Sequence, residues 1–211
     1  MYRALGLFAL ALAGACGRET GTEPDTWPAG TAVVVGGEVI GVEEVDTTAD
    51  ALAALKPSYT RSMLRRQALT HVLFTRAVGR IGCGRERAAA RAAATAWSAG
   101  DEGAAPPRER RGTWNELGLD LWLAVRALEP GTWSEVCEGA GFFFLVRLLE
   151  RDGAAPAVRE GFVLEVVEFP WRSDRVGLPL AVFEERLVIV DPAFRKVVPE
   201  RWKYPMEEVG E

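Results

Sequence analysis

The chain has 211 residues, of which 48% are hydrophobic and 26% charged, and a formal net charge of −5. That length supports one large or two small folded units. The mild acidity argues against a nucleic-acid binder, which needs a clustered basic footprint. One histidine, His71, and no Cys-x-x-Cys pair argue against a zinc-type centre.

Residues 1–15 read as an export signal. Arg3 precedes an apolar run from Ala4 to Leu12, and the small residues Ala13, Gly14 and Ala15 lead into Cys16. The run is too short for a membrane-spanning helix, which needs roughly 20 apolar residues. Leu12-Ala-Gly-Ala-Cys16 looks like a bacterial lipobox, although Leu12 stands four positions before the cysteine instead of three. Cys16 is therefore the expected lipidation site, and the alternative is a plain cleaved signal. Loss of Arg3 would take the formal charge from −5 to −6. Residues 16–31 are rich in Gly, Thr, Glu and Pro and read as a flexible tether. The expected location is extracytoplasmic, lipid-anchored, at the periplasmic face of an outer membrane.

The first folded unit is expected over 32–82. Ala32 to Ile40 reads as two short strands around a Gly36-Gly37 turn. Val45, Ala49, Leu52 and Leu55 give one face of a helix that Pro57 stops. Ser58 is the expected cap of a second helix running to about Val78. The second unit is expected over 83–151. It opens with an Ala- and Arg-rich helix from Arg85 to Ala99, followed by a polar loop over Asp101 to Gly112. A helix from Trp114 to Leu128 ends at Pro130-Gly131. Two strands follow, at Trp133–Cys137 and across Phe142-Phe-Phe-Leu-Val-Arg-Leu-Leu. Residues 152–211 form a C-terminal extension, with a strand at Gly161–Phe169 and a segment from Leu180 to Val190 that fits either helix or strand. The fold class is α+β.

Catalytic constellations are thin. No nucleophile elbow surrounds any serine, and no phosphate loop or dinucleotide fingerprint is present. Arg65-Arg66 and Arg108, Arg110 and Arg111 are local basic spots that read as solvated surface. Cys83 and Cys137 could close a loop of about 50 residues, a stabilisation on the order of 4 kcal/mol; two buried thiols are the alternative. No cofactor or metal is expected.

Two phrases carry a resemblance. Val33-Val-Val-Gly-Gly-Glu-Val-Ile-Gly-Val-Glu-Glu-Val45, followed by Leu64-Arg-Arg-Gln-Ala-Leu-Thr-His-Val-Leu73, resembles the opening of the SurA-type chaperone module. Leu119-Asp-Leu-Trp-Leu-Ala-Val-Arg-Ala-Leu-Glu-Pro-Gly-Thr-Trp-Ser-Glu-Val136 with Gly141-Phe-Phe-Phe144 resembles the C-terminal half of a parvulin prolyl isomerase domain. Together they cover about half of the mature chain. The resemblance implies a β-hairpin and helical chaperone-like module, then a small parvulin-like domain of helices on an antiparallel sheet.

The departures bear on chemistry. Phe143 stands where the family carries histidine in its "G-[YF]-H" phrase, and the family's first strand is missing ahead of Glu86. Gly161–Phe169 could fill that gap from the C-terminal side. The amide barrier of ~18–20 kcal/mol is then expected to be lowered little or not at all. The implied function is a membrane-anchored foldase-like chaperone that binds unfolded or extended polypeptides. A non-catalytic subunit docking on a partner protein of the cell envelope and an atypical active isomerase are the alternatives. Phe142, Phe143, Phe144, Trp122 and Trp133 are the expected apolar peptide-binding surface, and the resemblance brings Cys83 near Cys137.

Overall fold

The computed structural model describes residues 27–99, 106–153, 156–171 and 187–200. Over these residues the fold is mixed α+β with two antiparallel sheets. Cys16, the residues around it and the 172–186 segment lie outside the described residues.

The first sheet is built on a hairpin. Strands β1 (Thr31–Val35) and β2 (Glu38–Gly41) pair through a two-residue turn, with Val35 opposite Glu38. Gly36 and Gly37 both take positive φ, at 53° and 83°. A two-residue turn of that hand matches the twist of the flanking strands, and glycine reaches it without a Cβ penalty. Helix α1 (Val42–Ala53) follows at once and buries Val45, Ala49 and Leu52. The next helix starts later than expected. Pro57 and Ser58 sit in a turn closed by Tyr59 N–H on the Lys56 carbonyl. Thr60 is the cap instead, with an extended backbone and its hydroxyl accepting from Met63 N–H. Helix α2 (Arg61–Gln67) then runs through a π-helical stretch (Ala68–Leu73) into α3 (Phe74–Gly82).

Cys83 breaks the helical path, and α4 (Gly84–Ser98) sets off from it. The stretch read as loop contains β3 (Arg108–Gly112), which pairs along its whole length with β6 (Phe162–Pro170). The single helix expected over Trp114–Leu128 is two, α5 (Trp114–Leu117) and α6 (Leu119–Val125), because Gly118 sits at φ 87° between them. A capping box of Thr113 and Glu116 starts the first. Strands β4 (Cys137–Gly139) and β5 (Phe142–Arg151) close the hairpin, preceded by a single bridge from Trp133 to Arg147.

The second sheet has the order β3-β6-β5-β4. Both of its faces are covered, which explains why Phe142–Val146 reads as a continuous apolar run instead of alternating. On one face Leu117 of α5 and Leu121, Trp122 and Val125 of α6 pack against Phe144, Val146, Leu164 and Val166. On the other, α4 lays Ala90 and Trp97 over Phe143, Leu145 and Val167. The described residues 187–200 return to the first sheet. Strand β7 (Leu187–Ile189) pairs with β1, and Phe194, Val197 and Val198 enter the same core as Val33, Leu69 and Leu73.

Trp171 ties the two layers of helices to the second sheet. Its backbone N–H donates to the Gly141 carbonyl, and its ring lies 6.2 Å from that of Phe143. The ring also presses on α3 at Gly79, where an added Cβ would sit 2.4 Å from it.

Candidate functional site

The β4 strand is where the helical unit meets the second sheet. Arg80 of α3 holds the Glu138 carboxylate through Nε at 2.7 Å, and Arg87 of α4 holds its other oxygen at 3.1 Å. Arg80 also reaches Glu44 of α1 at 3.4 Å and Glu38 of β2 at 3.9 Å. Arg76 Nε–H donates to the Glu138 backbone carbonyl at 3.1 Å. The Glu138 side chain is 11% exposed and that of Arg80 20%. Burial works against the charge on Arg80, but Glu138, Glu44 and Glu38 outweigh it and hold its pKa above the ordinary guanidinium value. One carboxylate thus joins two helices to a strand.

Two clefts flank this joint. One, of about 480 Å³, opens between Thr47 and Thr48 of α1, Arg76, Leu123 of α6 and Cys137. The other, of about 710 Å³, runs between Arg87 and Arg91 of α4 and the stretch Trp133–Val136. Trp133 forms its wall, held edge-on against Trp97 and covered by the Arg147 guanidinium.

Cys137 lines the first cleft, and Asp120 lies beside the same strand. Burial pushes the Cys137 thiol pKa up, against the lowering effects of the Ser134 hydrogen bond and the Arg76 charge. The thiol is therefore protonated at neutral pH, and the thiolate is the reactive form. Asp120 is also raised by burial. Its Oδ2 accepts from Ala140 N–H at 2.9 Å, while Oδ1 is buried with no hydrogen-bond partner. Among the described residues, no group of three or more His, Cys, Asp or Glu side chains is placed to hold a metal ion. His71 lies exposed in the π-helical stretch.

The expected apolar binding surface is largely interior. Phe143, Phe144 and Trp122 are each 0% exposed. Helices on both sheet faces cover them, so three of the five residues offer nothing to a ligand. Phe142 and Trp133 are half-buried.

The two cysteines do not approach each other. Cys137 lies opposite Phe144, on the face packed by α6, whereas Cys83 packs with Phe143 on the α4 face. Successive residues of a strand point to opposite faces, so the sheet stands between the thiols. The residues that do meet, Arg76, Arg80, Asp120 and Glu138, lacked a sequence signal. Arg80 and Glu138 are 58 positions apart and belong to no common motif.

No protein-family model, curated protein or solved structure matches the chain.

Proposed function

We propose that the protein is a lipid-anchored, extracytoplasmic polypeptide-binding protein of the SurA/PrsA foldase kind, with a parvulin-like frame that has lost isomerase chemistry. One observation carries the reading: β6 lies between β5 and β3 in an antiparallel sheet. A parvulin sheet needs its first strand beside its last. Here β5 lies between β4, which precedes it, and β6, which follows it in the chain, an order that supports reading the frame as a permuted one.

The loss of chemistry follows from Phe143. It stands at the place of the family histidine, carries no ring nitrogen and is sealed under Cys83, Ala90 and Trp171. A substrate proline would have to displace that packing. The protein should therefore give no turnover above background in a protease-coupled assay on an X-Pro peptide, while suppressing light scattering from a refolding client. Turnover at parvulin-like rates, or no effect on scattering, overturns the reading.

A second reading, a non-catalytic subunit with one envelope partner, is favoured by the surface. Met63, at 47% exposure, is the sole exposed large hydrophobic side chain among the described residues. A general chaperone that works through a broad apolar cradle would expose more. Crosslinking and pull-down of the tagged protein from native membranes separates the two: many clients mark the chaperone, one stoichiometric partner the subunit.

A further inference from the structure

The basic stretch Arg108-Glu-Arg-Arg111 forms an outer edge of the second sheet. Among the described residues, β3 pairs on one side only, with β6, so alternate N–H and C=O groups along its other side have no ladder partner there. Arg108 stands opposite Val166 and Arg110 opposite Leu164, which puts both guanidinium groups on one face of the sheet, two residues apart. Glu109 and Arg111, on the other face, pair with each other at 2.7 Å. Arg110 makes one contact, at 2.8 Å to Glu168, and Arg108 lies within salt-bridge distance of no carboxylate among the described residues. Beside them a hollow of about 260 Å³ is lined by both arginines, Glu168, Pro106, Val166 and Pro170, among others.

Charged edge residues commonly guard a sheet against chance pairing. The spacing here adds selectivity to that guard. A neutral or basic strand laid along β3 would leave Arg108 desolvated or repelled, and would leave Arg110 with Glu168 alone. A strand with carboxylates at every second position would meet Arg108 and Arg110 as cross-strand pairs, and its other face would meet an already neutral Glu109–Arg111 pair.

We infer that β3 is a docking edge for an extended acidic polypeptide segment, which adds as a fifth strand beside Arg108–Gly112. The inference rests on the polypeptide-binding reading above and names the class of segment bound. Main-chain hydrogen bonds supply the attachment, and the two arginines select the occupant.

The test uses the full chain and an acetylated, amidated (Glu-Thr)4 peptide, followed by residue-resolved hydrogen exchange and by fluorescence anisotropy. Amides within 108–112 should exchange at least tenfold more slowly with peptide present. Arg108→Glu should weaken binding at least fivefold without changing the circular dichroism spectrum. The (Lys-Thr)4 peptide and a (Glu-Thr)4 peptide N-methylated at alternate residues should bind at least tenfold more weakly. Lack of protection at 108–112 would overturn the inference. So would equal binding of the N-methylated peptide or of an eight-residue oligothymidylate, since those carry charge without strand addition. If aggregation suppression persists when this edge fails, only the edge is disproved; if both fail, the polypeptide-binding reading goes with it.

Discussion

The two edges of the second sheet solve one problem by different physics. At β4 the edge is covered: α3 lies against it, Arg76 takes the Glu138 carbonyl, and Arg80 and Arg87 take its carboxylate. At β3 nothing among the described residues pairs with the outer side, and charge alone guards it. The covered edge is made of contacts between residues far apart in the chain and half-buried or more, so its disruption should be felt throughout the fold. The open edge consists of exposed groups in high dielectric, where ion pairs contribute little to stability. The first edge is structural; the second is available.

Mutations separate the two in graded fashion. The largest effect is expected at the covered edge: Glu138→Ala leaves Arg80 and Arg87 facing a gap. It should cost about 2–4 kcal/mol, read as a shift in the denaturant midpoint. Glu138→Gln, which keeps the shape and an acceptor oxygen, should recover part of that loss. Next comes Gly79→Ala. A methyl there collides with the Trp171 ring, and overpacking of this kind costs about 1–3 kcal/mol. Trp171 fluorescence should change with it, whereas the β3 variants should leave it alone.

A smaller effect, readable by its pH dependence, is expected at Asp120. Its folded pKa is raised, mainly by burial. The native state therefore holds this proton more tightly than the unfolded chain does, and that contribution is present in acid and fades as pH rises through the folded value. Asp120→Asn removes the titration, so the stability difference between wild type and variant should move in the variant's favour from acid toward neutral pH. A pH-independent difference would show that Asp120 titrates alike in both states. The smallest effect belongs to the open edge: Glu109→Ala should leave the denaturant midpoint unchanged, and a loss near that of Glu138→Ala would erase the contrast between the edges.

Local features of the fold were legible in the sequence. The Gly36-Gly37 turn, the α1 stripe of Val45, Ala49 and Leu52, and the Phe142–Arg151 strand all follow from short-range rules that act within a few residues. Misreadings arose where a local rule met a tertiary partner. Ser58 has the chemistry of a cap, but the turn at Pro57 claims it and passes the role to Thr60. Arg108–Gly112 looks like solvated loop because its partner, β6, begins 50 residues later, and nothing in the stretch itself encodes that pairing. The same holds for the candidate site. An aromatic run identifies a place to bury surface, but whether it faces solvent depends on what packs over it. Here α4 and α6, each distant from one end of the sheet in sequence, cover Phe143 and Phe144 from opposite sides. Glu138 was unremarked because a carboxylate between two glycine-rich turns resembles surface until Arg80 and Arg87 are brought to it.

The return of β7 to β1 also sets an order of assembly. Val33 and Ile189 are cross-strand neighbours although most of the chain lies between them, and Phe194 and Val198 complete the core that β1 begins. By contrast, the strands from Arg108 to Pro170 make their ladder from one contiguous stretch. Closing a longer loop carries a larger entropic cost and slows folding. A nascent chain can therefore finish its central sheet while its opening hairpin still waits for residues not yet synthesised. The first hairpin made is among the last to reach its final packing, and a chain cut after Pro170 should keep the sheet while the hairpin core stays loose.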